Sequence, residues 1–381
     1  MKALIRAGFL LFSSLLIGSA VAQHEGHEHA TELEIENVFE EHSSDHEAHG
    51  TEKFNPGEMI MGHVGDEHGW HLWGHTSIPL PILVYNTERG FSNFSSSNFD
   101  HGHKTHGGYM LHEGKVVATD APDGADAHHA SVNEELTKST WDISITKNVL
   151  GMFVSMAILL WVMLSVANGY KKRGVGAPKG LQSFIEPIIV FIRDDVAKAN
   201  IGPKYERFMP YLLTVFFFIL LNNLTGLIPI FPFGANVTGS ISVTFALAAI
   251  TFVITLIHGN RHYWGHILAM PGVPKPVLLI LTPVEILGVF LRPAILMIRL
   301  FANITAGHII VLSFFALIFI FGEINAGLGW GVSIFTLVFT IFMSMLELLV
   351  AFIQAFVFTF LSAMYFGAAV EGHDDHKESL V

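Results

Sequence analysis

LMIRLFANITAGHIIVLSFFALIFI, residues 296–320, is apolar almost throughout, contains no carboxylate, and carries a guanidinium at Arg299. Its length exceeds the ~20 residues that cross a bilayer as helix. A charged side chain at the bilayer centre costs roughly 2.5–3.5 kcal/mol on insertion scales, and arginine does not escape by losing its proton. Such a residue is by default a functional site in an ion path. The competing reading is an arginine at a helix end with its head in the interface; Arg292, two turns earlier, shows that charge already enters this segment.

Outward from Arg299, the apolar segment is too long for one ordinary span. From Pro276 to Phe321 it would measure roughly 70 Å as continuous helix, against a hydrocarbon core of about 30 Å. The last segment, Val332 to Val370, poses the same problem. Each either breaks in two, with Pro283 and Pro293 able to kink the first, or lies strongly inclined. Periodicity alone leaves both open. The first segment holds Glu285, Arg292, Arg299, Asn303, Thr305 and His308; the last holds Glu347 and Gln354. At about 100° per residue, Glu285, Arg299 and Asn303 fall within about 80° of arc, and His308 lies nearly opposite Arg299, about 13 Å further along. Glu347 and Gln354 share a face. Titratable groups inside membrane helices build proton relays; the plainer reading of His308 and Glu347 is a structural hydrogen bond between helices.

The remaining chain fits a polytopic protein. It is 51% hydrophobic with 32 Phe among 381 residues. Further spans are predicted at about Asn148–Ala167, Pro210–Pro229 and Ile241–Ile257. Lys171, Lys172, Arg173 and Lys179 follow the first, Lys204 and Arg207 precede the second, and Arg261 follows the third, which puts those ends on the cytoplasmic side. Between the first two, Leu181, Phe184, Ile185, Ile188, Ile189, Ile192 and Val196 follow helical spacing, the pattern of a helix lying in the interface. The expected fold class is an all-α polytopic membrane protein: about five membrane helices plus one interfacial amphipathic helix, the last two long and strongly tilted.

Residues 1–22 read as a signal peptide, with Lys2 and Arg6, an apolar core and the Ala20-Val21-Ala22 end; an uncleaved first helix is the alternative. Residues 23–140 are expected to be an exported, largely irregular extension. They hold 21 of the 33 acidic residues, 5 of the 21 Lys and Arg, and 16 of the 22 His. That acidity argues against nucleic acid as a partner. Clusters such as His24, His27, His29 and His101, His103, His106 suit adventitious metal binding. Cysteine is absent, so disulfides and thiolate sites are excluded. No HExxH, nucleotide loop or Ser–His signature marks an enzyme.

Three runs together resemble one family. RLFANITAGHII (Arg299–Ile310), ELLVAFIQAFVFTFLSAMY (Glu347–Tyr365) and FIRDDVAKANIGPKYERFMPYLLTVFFFILLNNLTGLIP are similar to segments of subunit a of the F-type ATP synthase. The resemblance covers about residues 140–375, giving a membrane domain over 141–375 and a cytoplasmic tail at 376–381.

That resemblance implies a stationary Fo subunit whose two long tilted helices lie against a rotating c-subunit ring, with two offset half-channels. Its implied partners are that ring, the b-subunit peripheral stalk, other ATP synthase subunits and the lipid bilayer, and it implies no cofactor and no ATP site. Arg299 matches the arginine that faces the ring carboxylate and prevents leakage between half-channels. His308 and Glu347 match the titratable pair of the non-cytoplasmic half-channel. Asn303 and Gln354 match polar residues beside the path, Glu285 an acid at the cytoplasmic exit, and Asn223 a polar lining residue. Gly226 departs from relatives that carry a carboxylate there. The implied location is the bacterial inner membrane, with the extension periplasmic. The alternative function is a metal-ion transporter with the His-rich region as an external trap, which requires metal ligands near the bilayer midplane.

Overall fold

The computed structural model describes residues 55–371, except 74, 75, 113, 175, 229, 269, 271 and 272. The signal segment, the histidines at 24, 27 and 29 and the tail 376–381 lie outside the described residues.

The described part of the extension begins with helix α1 (Pro56–Val64) and continues in short strands. β1 (Gly69–Trp73) pairs antiparallel with β2 (Thr76–Pro79). β3 (Pro81–Asn86) lies between β4 (Gly90–Ser95) and β7 (Thr140–Asp142), antiparallel to both. β5 (Tyr109–His112) pairs with β6 (Lys115–Ala118), and a short helix, α2 (Glu134–Lys138), precedes β7. Along β3, Ile82, Val84 and Asn86 are buried while the alternate residues face outward, as the strand period of two requires. Ile82, Val84, Phe99, Tyr109, Val116 and Ala118 form its core. The expectation of a largely irregular region therefore does not hold across residues 69–142. Its polar, His-rich average composition conceals a core assembled from six residues spread over 37 positions.

Among the described residues, five helices are long and apolar enough to cross a membrane. These are α3 (Lys147–Arg173), α5 (Met209–Gly226), α6 (Ile241–His258), α8 (Lys275–Ile324) and α9 (Ala326–Val370). A short helix, α7 (Arg261–Leu268), links α6 to α8. α8 and α9 are continuous over 50 and 45 residues, Pro283 and Pro293 included. At 1.5 Å per residue they are about 75 and 68 Å long, so they cross a core of about 30 Å only when strongly inclined or protruding. Their outward faces are apolar and exposed, as at Leu279, Ile280, Ile334 and Val338, which suits lipid or a partner rather than water.

α4 (Leu181–Phe191) runs into a stretch of π-helix (Ile192–Lys198). The amphipathic reading holds with a narrower buried face: Ile185, Ile192 and Val196 are buried, whereas Phe184 is 71% exposed. The bundle core joins these residues to Leu212, Phe216, Leu296, Leu300, Phe358 and Phe366. Phe208 stacks on Phe366 at 4.8 Å between ring centres. Thr251, Thr255, Thr359 and Ser362 donate their hydroxyls to carbonyls four residues earlier, which satisfies polar groups that an apolar surrounding leaves without water. At one end, Lys204 Nζ donates to Val370 O and the Asn260 amide to Ala369 O. The basic residues flanking α5 and α6 thus gather where α9 terminates. The β region sits on the start of α3 and the loop between α5 and α6.

Candidate functional site: the α8–α9 hairpin

α8 and α9 pack antiparallel along much of their length. Gly322 and Gly329 let the backbones meet near the turn, where a Cβ on Gly329 would stand 2.8 Å from Gly322 Cα. Further in, the Phe314 and Phe339 rings lie 3.9 Å apart. Deeper still, Glu347 packs over Gly307, whose added Cβ would stand 2.6 Å from Glu347 Oε1. A residue with a side chain at 307 would displace that carboxyl.

This register sorts the polar residues. Glu347 is half-buried beside the Gly307–His308 step of α8, and His308 is likewise half-buried. Glu347 Oε1 has no hydrogen-bond partner among the described residues, and a buried polar atom left unpaired calls for a functional or solvent explanation. Seven residues on, about 10 Å along the helix, buried Gln354 comes level with Leu300 and hence with Arg299.

Arg299 itself is exposed. Leu296 and Leu300, both 1% exposed, turn inward and anchor α8 in the bundle. The opposite ridge carries Ile295, Ile298, Arg299, Ala302, Asn303 and Ala306, all exposed. A permanent charge therefore stands on an open face whose other exposed residues are apolar or small, Asn303 excepted. His308, half a turn out of phase, is turned elsewhere. The opposition expected from the helical wheel is what the bundle realises.

Asn223 is buried on α5. Its Nδ2 donates to Ala351 O at 3.2 Å and its Oδ1 accepts from Thr238 Oγ1 at 2.6 Å. Ala351 lies one turn after Glu347, so Asn223 pins α5 and the α5–α6 loop to the hairpin at that level. Thr305 Oγ1 also reaches that loop, at Gly239 O, 3.4 Å away. Glu285 stands apart from these groups, two turns before Arg292. The Arg292 guanidinium lies 5.9 Å from the centre of the Tyr365 ring, in a slot lined by Thr251, Thr255, Tyr263 and Leu296. The sequence reading assigned Arg292 no role; nothing local reveals its pairing with an aromatic ring 73 positions away.

His63 on α1 and Lys147 at the start of α3 are close enough to act electrostatically on His308. Sequence reading missed both, because neither lies in the hairpin. Among the described residues, no three His, Asp or Glu side chains converge as a metal site. The resolved contacts of the histidine cluster are pairwise, as between His103 Nδ1 and His128 Nε2 at 3.2 Å.

Comparison with known proteins covers both regions. The ATP synthase A chain family matches residues 149–367, and a family described only as a domain of unknown function matches residues 59–143. The ATP synthase subunit a of Chloroherpeton thalassium is 46% identical over 242 residues, which span 62% of this chain and 70% of that protein. That of Chlorobium phaeobacteroides (strain DSM 266) is 46% identical over 246 residues, 62% of this chain and 69% of the relative. The subunit a of Anaeromyxobacter dehalogenans is 35% identical over 381 residues, covering 95% of this chain and 91% of its own length. Similarity of this extent, over the span that contains the α8–α9 hairpin, makes this chain a member of the ATP synthase A chain family.

Proposed function

We propose that the open ridge bearing Arg299 is the face this subunit presents to the rotating c ring. The chain is the proton-translocating Fo subunit of an ATP synthase, a non-catalytic, multi-pass membrane component of that complex. The observation that carries the reading is an exposed guanidinium on a largely apolar helix face, with His308 on the opposite side of the same helix about 13 Å further along. A ring carboxylate moving through lipid travels protonated, because an apolar surrounding disfavours its charge. Opposite Arg299 its ionised form is favoured and the proton leaves. Arg299 then separates two water-filled passages. His308 and Glu347 line the outer one, and Glu285 with Arg292 marks the cytoplasmic one. Asn303 and Gln354 flank the arginine, and Asn223 holds the outer passage together.

Further parts of this reading concern the surroundings. The b-subunit stalk and other ATP synthase subunits complete the stator, ATP is bound elsewhere in the complex, and the extension faces the periplasm across a bacterial inner membrane. The basic residues gathered at the α9 terminus support that orientation. The metal-transporter alternative has no support from the relatives.

Replacing Arg299 tests the assignment. Arg299→Lys and Arg299→Ala are exposed substitutions that leave the bundle core intact. Assembled complexes carrying either are expected to hydrolyse ATP without acidifying inverted vesicles. Normal ATP-driven acidification by Arg299→Ala would remove the reading.

A further inference from the structure

The exported region is not loosely tethered to the bundle. Asp66 accepts from Thr146 Oγ1 at 2.8 Å and from the Asn148 amide at 3.0 Å, so its carboxylate caps the start of α3, where a negative charge is favoured by the helix dipole. The Lys147 amide donates to Glu67 O at 2.9 Å, and its Nζ donates to His63 O at 3.1 Å. Trp70, 5% exposed, packs on Ala235 and Val237 of the α5–α6 loop and meets Phe231 edge-on at 5.4 Å. α1 lies directly against α8. His63, near the end of this α8-packed helix, is exposed and lies within electrostatic reach of His308.

We propose that α1 and the turn after it form the outer lip of the passage to His308 and Glu347, with His63 the first titratable side chain on that route. The proposal rests on the proton-path reading above and gives a task to the region that matches a domain family of unknown function. The charged or titratable groups that act on His308 are His63 from α1 and Lys147 from α3, and Glu347 from α9 lies against the preceding residue, Gly307. Asp66 and Glu67 stand beside Lys147, so the lip carries both signs of charge and holds water readily. A proton crossing it enters from outer water and leaves inward to the His308–Glu347 level, with His63 returned to its starting state.

The absence of cysteine from this chain allows a direct test. His63→Cys, Met61→Cys and Asn93→Cys are introduced singly into the complete ATP synthase. The purified complexes are labelled with a bulky sulfonated maleimide and reconstituted, and passive and ATP-driven proton flux are measured. Met61, 66% exposed on α1, keeps His63 intact should the His63 variant assemble poorly; Asn93 is an exposed control on β4. Labelling at 63 or 61 is expected to remove most of the flux, and labelling at 93 to leave it unchanged. Unchanged flux with both 61 and 63 labelled, failure of both cysteines to react, or equal block from position 93 would each overturn the lip. Glu347→Ala separates the two levels of inference. If it is inactive while labelled complexes conduct freely, only the lip fails; if it conducts normally, the path itself is wrong.

Discussion

The Glu347 carboxyl lies over the backbone of Gly307, the residue immediately before His308, with space for a hydrogen but not for a methyl group. The long apolar helices approach closely enough here for Glu347 of one to reach the backbone of the other because α8 lacks a side chain at position 307. Gly307→Ala places a carbon 2.6 Å from Glu347 Oε1. The obstructed atom is the far end of a flexible side chain, so the carboxyl swings aside at little cost to folding, while alanine favours helix over glycine by about 1 kcal/mol. Normal assembly with reduced proton flux is expected. Flux equal to that of the unsubstituted complex would separate the position of Glu347 from conduction.

Asn223 is a tie between helices as much as a lining group. Asn223→Leu removes the donor to Ala351 O and strands the Thr238 hydroxyl in a buried place. An unsatisfied buried group costs about 1–3 kcal/mol. The variant is expected to lose stability by that order in thermal unfolding of the solubilised complex, and to conduct poorly because the hairpin shifts. Asn223→Asp retains the acceptor for Thr238 but not the donor for Ala351, and is expected to fall between.

At the opposite end, Gly367 of α9 presses on the carbonyl of Asn200, a backbone atom that cannot rotate away. Gly367→Ala therefore forces α9 away from the turn at Asn200 that follows the π-helical stretch. Subunit levels in the membrane are expected to drop sharply, in contrast to Gly307→Ala. Equal levels for the two variants would contradict this distinction between a yielding side chain and an unyielding backbone.

The seat of the β region on the membrane part is sensitive to acid. Burial pushes the Asp142 carboxyl up, but hydrogen bonds from His68 Nε2 at 3.0 Å and from the hydroxyl and amide of Ser144 outweigh it, leaving the group below the usual carboxylate range. A lowered folded value contributes stability that is present above about pH 4 and is lost as pH falls through the lowered value. Amide exchange of β3 and β7 in the intact complex is expected to accelerate below about pH 4, and the acid-dependent part of that change is expected to vanish in Asp142→Asn.

Legibility varied along the chain for physical reasons. The five spans were readable because hydropathy is summed over some 20 neighbouring residues. Arg299 stood out because a charge in such a run has no local excuse. The opposition of Arg299 and His308 followed from a fixed 100° step. Whether α8 would break at Pro283 or Pro293 was not readable, since neighbouring helices decide if a proline bend is tolerated. The β region escaped notice because its core draws single residues from short strands, and average polarity dominated the reading. His63 and Lys147 were invisible as partners of His308, being separated from it by 245 and 161 positions.

Residence in a membrane, the segments that cross it and the few polar groups set in apolar helices can all be read along the chain. Those properties depend on side-chain transfer energy and helical period, both local. That Glu347 meets Gly307, that Arg299 faces outward while Leu296 and Leu300 anchor its helix, and that α1 rests against α8 emerge only in the folded bundle. Those are packing outcomes, set by how surfaces far apart in the chain fit once the backbone has closed its own hydrogen bonds.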